Sequence, residues 1–168
     1  TGLMPTLLVE RLGLSVSHAG AVSAAIVLAN AVGNLAASFA LWAGIPLWAI
    51  VATAFAFMGA ASFGIFADSM PVATVAVLAS ASLAITGLIP ASLLAATTRL
   101  APTTAQFGMM YGLMSQISNV GHVLGPALLG AWAQTFGWAT APVLFAIVAL
   151  SGVATALWLR RLLLRQPN

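Results

Sequence analysis

The sequence predicts an all-α membrane protein with five full transmembrane helices plus the end of a sixth, on three observations. Hydrophobic residues make up 62% of the chain and charged residues only 4%, against about 25% charged in a soluble domain. Between Ser15 and Arg165 the only charged side chains are Asp68, Arg99, Arg160 and Arg161. The stretches between them run to about 20 apolar residues or more, which at ~1.5 Å rise per residue covers a hydrocarbon core of roughly 30 Å. Period-two alternation is absent, which argues against barrel strands.

Punctuation brackets each span. The first runs from about Ala19 to Leu41, after a Ser15/Ser17 cap, and stops at Gly44-Ile45-Pro46. The second, about Leu47 to Ala67, ends at Asp68-Ser69-Met70-Pro71, and the third covers about Val72 to Thr98 with Gly87 and Pro90 inside it. Thr103-x-x-Gln106, a capping-box pattern, opens the fourth, which reaches about Phe136 before Gly137. The fifth starts near Thr140-Ala141-Pro142 and ends in Arg160, Arg161 and Arg165. Thr1 to Leu12 reads as the last turns of a sixth span, and a start without Met reads as the cut end of a longer chain. Short loops make neighbouring helices antiparallel.

Charge sets the expected orientation. Five arginines, no lysine and two acids, Glu10 and Asp68, give a net charge of +3. Placing the C-terminus in the cytoplasm puts Arg99 inside too and leaves Arg11 and Asp68 outside, as basic-residue bias requires. A nucleic-acid partner is not expected, because three arginines cluster at the end of one apolar run instead of forming an exposed patch. Without cysteine there is no disulfide framework or thiolate metal site. No metal and no cofactor are expected, and no catalytic set appears: there are no paired carboxylates, no Ser/His/Asp group at one depth and no phosphate-cradling loop.

Polar residues in hydrocarbon are costly, so their distribution separates the helices. The second span holds only Thr53 and Ser62 and the fifth only Ser151 and Thr155. Both read as lipid-facing supports. On the first span Ser23, Asn30, Asn34 and Ser38 form one stripe at 100° per residue. The fourth gathers Ser115, Gln116, Asn119 and His122 within about a third of its circumference, with Gly108, Gly112 and Pro126, while Leu113, Ile117, Val120, Leu124 and Leu128 lie opposite. Thr86, Gly87, Pro90 and Thr97 share an arc of the third. Each stripe has two readings: amides that bond helix to helix, or amides that line a wet cavity. Three striped helices beside two bare ones fit the cavity. His122 is more commonly a structural residue, yet a reference pKa of ~6.5 also suits a proton carrier. Gly108-x-x-x-Gly112 and Gly121-x-x-x-Gly125 allow close helix approach, and Gly87/Pro90 and Gly125/Pro126 allow kinks.

The stretch Gly108-Met109-Met110-Tyr111-Gly112 through Asn119-Val120-Gly121 and Gly125-Pro126-Ala127-Leu128-Leu129-Gly130 resembles the eleventh helix of the major facilitator superfamily. Gly2-Leu3-Met4-Pro5 through Glu10-Arg11-Leu12-Gly13-Leu14-Ser15 and Ala19-Gly20 looks like the end of that family's seventh helix and its outer loop. The whole chain resembles the C-terminal half, partial helix seven to helix twelve, of a 12-helix transporter, with some likeness to cyanate-permease-type members. Leu41-Trp42-Ala43-Gly44-Ile45-Pro46 lacks the charged gating-loop signature, which suits a second half better than a first.

The resemblance implies secondary active transport of a small solute by alternating access in a bacterial inner membrane, and no enzymatic activity. Its partners would be the lipid bilayer, a small-molecule substrate and an N-terminal six-helix half. Asn30, Asn34, Gln116 and Asn119, then Thr86, Ser115 and His122, are the candidate cavity-lining residues. Protons remain open as the coupling ion, although the carboxylate usually expected is not in this segment's core. The other reading is a non-transporting scaffold or assembly protein whose amides only lock helices together.

Overall fold

A computed structural model describes residues 8–9, 13–67 and 69–164. Expectations for Thr1–Leu7, Glu10, Arg11, Leu12, Asp68 and Arg165 lie outside the described residues, as do those for the side chain of Arg99. The described residues form five α-helices and one 3-10 turn, and no strand: α1 Val16–Trp42, α2 Leu47–Ile65, α3 Val72–Leu100, α4 Thr104–Phe136, the turn Trp138–Thr140, and α5 Ala141–Leu164.

The ends follow local chemistry. Ser15 caps α1 by accepting from the His18 amide, and Thr103 caps α4 by accepting from the Gln106 amide, each satisfying one orphan donor of a first turn. Pro46 and Pro71 precede α2 and α3, and proline's fixed φ and missing N–H suit such positions. Gly44 and Gly137 both sit at φ +80°, where a side chain would be strained. Pro90 and Pro126 lie inside helices that continue through them. α1 starts three residues earlier than expected because Ser15, rather than Ser17, is the cap.

The helices α1, α3, α2 and α5 pack side by side in that order, and α4 meets the others mainly through its last turns. α2 is thus not simply a lipid-facing support. It lies between α3 and α5 and has a larger share of its length buried than the other apolar helices. Small residues permit this: Ala54, Gly59, Ala61 and Ser62 are buried, and a Cβ on Gly59 would come within 2.7 Å of Ala149 Cβ on α5.

The main apolar cluster gathers Ile26, Ala61, Ile65, Phe66, Val75, Ala79 and Ala141. Rings close that end of the row: Phe66 stacks on Trp138 at 6.2 Å and meets Phe145 at 5.4 Å. Trp132 Nε1 donates to Thr140 Oγ1 at 2.9 Å, tying α4 to the 3-10 turn. At the opposite end Trp42, Trp48 and Trp158 accompany Arg160 and Arg161. Tryptophan at both ends of apolar helices is the pattern of side chains placed at two membrane–water interfaces.

Among the described residues four helices, α1, α2, α3 and the segment from Trp138 through α5, are long and apolar enough to cross a bilayer. α4 has the length, at 33 residues, but its polar residues keep it out of that group. Large apolar side chains face outward along the bundle, among them Phe39 (73% exposed) and Leu150 (71%). A water-soluble monomer does not tolerate so much exposed apolar surface, whereas contact with lipid accounts for it.

Candidate functional site

The predicted polar residues fall into two groups. One is the seam between α1 and α3. Asn30 Nδ2 donates to the Leu83 carbonyl across the seam at 2.9 Å. Asn34 Nδ2 donates back to the Asn30 carbonyl at 3.0 Å and to Asn30 Oδ1 at 3.2 Å. Thr86 Oγ1 donates to the Ser82 carbonyl at 2.8 Å and to that of Leu83 at 3.3 Å. Asn30 and Thr86 therefore converge on the Leu83 carbonyl, and Asn34 bonds to Asn30, so that the Asn30 side-chain amide is engaged at both ends.

Glycine lets the seam close. A Cβ on Gly87 would stand 2.5 Å from the Asn30 carbonyl oxygen, and one on Gly33 would overlap the Ala84 carbonyl. Gly33 is buried and carries this contact, which neither the polar stripe nor the Gly-x-x-x-Gly patterns point to. Its signal was present: a small residue on the same helical face as Ala19, Ile26 and Ala37. Gly87, read as a kink residue, also serves as a contact point.

Asn30→Ala should remove the cross-seam bond and one acceptor of Asn34. Hydrogen bonds between membrane helices contribute about 0.6 kcal/mol on average and up to ~2 kcal/mol. Unfolding in detergent should show a destabilisation in that range, and unchanged stability would mean that the amide does not hold these helices together.

The second group lies on α4. Gln116, Asn119 and His122 are exposed and Ser115 is half-buried. Among the described residues none of the four side chains has a hydrogen-bond partner. Gly108, Gly112, Gly121 and Gly125 have open space where a Cβ would stand, so their expected close packing has no partner among the described residues. Pro126 is half-buried. The opposite face is exposed as well, with Ile117 at 73%. The anchor of α4 is instead its far end, where Ala133 is buried and Trp132 and Phe136 meet at 4.9 Å.

Among the described residues, the buried hydroxyls Ser23 Oγ and Ser92 Oγ lack a hydrogen-bond partner. Ser92 belongs to the wall of a cavity of about 210 Å³ between the α1–α2 loop and α3, lined also by Leu41, Ile45, Pro46 and Ala96. No group of three or more His, Asp or Glu side chains able to hold a metal occurs among the described residues.

Fold and site together define, among the described residues, an all-helical arrangement with four helices suited to a bilayer, an internally bonded polar seam and a polar arc without side-chain hydrogen bonds. No protein-family model, curated protein or solved structure gives a significant match to it.

Proposed function

We propose that the chain is the C-terminal half of a secondary transporter of the major facilitator type, which moves a small polar solute by alternating access. α4 then spans the bilayer as a fifth crossing, completed by a second six-helix half. The observation that carries this reading is the arc of Ser115, Gln116, Asn119 and His122, whose side chains have no hydrogen-bond partner among the described residues. Unpaired amides facing hydrocarbon cost several kcal/mol each. Such an arc belongs against water, a solute or another polar surface, and binding near the midplane between two halves supplies that setting. The sequence resemblance of this helix supports the same reading. With the C-terminus cytoplasmic, an ion gradient would drive the cycle, because no nucleotide-binding motif is present.

The α1–α3 seam favours the second reading for its own residues. Asn30, Asn34 and Thr86 spend their hydrogen bonds on neighbouring backbone and on one another, as helix-locking residues of a scaffold do. The two readings separate on α4.

The chain contains no cysteine, so introduced thiols report on single positions. In the full-length protein in membranes, Asn119→Cys should react with a membrane-impermeant maleimide and Ile117→Cys, on the opposite arc, should not. No reaction at either position would remove the wet cavity. Equal reaction at both would remove the bilayer.

A further inference from the structure

The Arg160–Arg161 end of α5 has no assigned role. The Arg160 guanidinium carbon lies 4.7 Å above the centre of the Trp48 ring, which bridges the end of α5 to the start of α2. Both arginines are exposed. Among the described residues neither makes an ion pair or a hydrogen bond through its side chain. The two acids of the chain, Glu10 and Asp68, lie outside the described residues, and among the described residues no carboxylate side chain faces the pair.

We infer that Arg160 and Arg161, with Trp48 and Trp158, form a docking site for the headgroup of an anionic phospholipid. The ring contact is made through the guanidinium carbon, and with no side-chain hydrogen bond among the described residues the N–H donors of Arg160 are left to pair with two oxygens of a phosphate. Guanidinium is weakly hydrated and always charged, which suits it to this task. Trp158 is 62% exposed on the same turn, where an indole sits at headgroup depth. Leu157, Leu150 and Ile147 continue the exposed surface down α5, so an acyl chain has an apolar track directly below the phosphate. That track selects a phospholipid over free phosphate. The site rests on the bilayer reading of the preceding section but not on transport.

The test compares lipids retained by the full-length protein, released from mixed phosphatidylglycerol and phosphatidylcholine of identical chains, by native mass spectrometry. Wild type should prefer phosphatidylglycerol, by about fivefold per arginine, the factor carried by one basic side chain near an anionic surface. Arg160→Gln/Arg161→Gln should bring the preference close to parity while retaining phosphatidylcholine, and circular dichroism should show unchanged helix content. Glycerol phosphate, a headgroup without tails, should not compete at equal concentration. Equal retention of the two lipids by wild type, or a preference that survives the double substitution, overturns the site and leaves the bilayer reading intact. Effective competition by glycerol phosphate overturns the lipid as occupant. Retention of neither lipid overturns both readings.

Discussion

Gly33→Leu is expected to cause a large loss of stability. The obstacle is backbone: a Cβ at position 33 overlaps the Ala84 carbonyl, which belongs to the wall of α3 and has no rotamer to change. Relief requires α1 and α3 to separate along a seam that also holds the Asn30–Leu83 bond and the Gly87–Asn30 approach. Overpacking commonly costs about 1–3 kcal/mol. Backbone against backbone belongs at the upper end, with a further ~0.6 kcal/mol for the bond lost. Size-exclusion chromatography should show aggregation or a broadened peak, and the unfolding temperature in detergent should fall. Gly112→Leu and Gly121→Leu provide the contrast, since a Cβ at either meets no atom within 4 Å. They should leave the packing of the described helices unchanged. A Gly33→Leu protein as stable as wild type would show that α1 and α3 do not touch there.

The other large effect is functional. Gln116→Ala/Asn119→Ala should leave stability within about 0.5 kcal/mol of wild type, as for positions without internal contacts. Solute uptake by proteoliposomes of the full-length protein, found by screening small polar compounds, should fall sharply. A hydrogen-bonding group left unpaired in a desolvated site costs about 1–3 kcal/mol, so the half-saturating concentration should rise roughly tenfold or more. Loss of folding in place of transport would move α4 to the scaffold reading, and retention of both would remove Gln116 and Asn119 from the solute path. Asn30→Ala is the complementary variant: its effect should fall on stability first, because its amide already bonds Leu83 and Asn34.

Helix positions and ends were legible because their causes are local. Ser15 and Thr103 cap through side chains three residues from the amides they satisfy, and Pro46, Pro71, Gly44 and Gly137 act through their own φ. The division of α4 into polar and apolar arcs was equally legible, being a matter of 100° steps along one helix. The sequence could not say which side of a stripe meets a neighbour. Asn30 and Asn119 are the same residue type near the middle of their helices, yet one is engaged across a seam and the other has no side-chain hydrogen bond among the described residues.

Sequence alone thus determined the solvent and the segments: charge at 4% and apolar runs of bilayer length require hydrocarbon around helices, whatever their arrangement. Tertiary structure alone decided the neighbours. It set α2 between α3 and α5, Gly33 against Ala84 and Arg160 over Trp48. These contacts join residues up to 112 positions apart in the numbering (160 − 48). Hydropathy and capping act within a few residues, whereas helix order depends on which small side chains let two backbones approach, a property of pairs that neither helix carries alone.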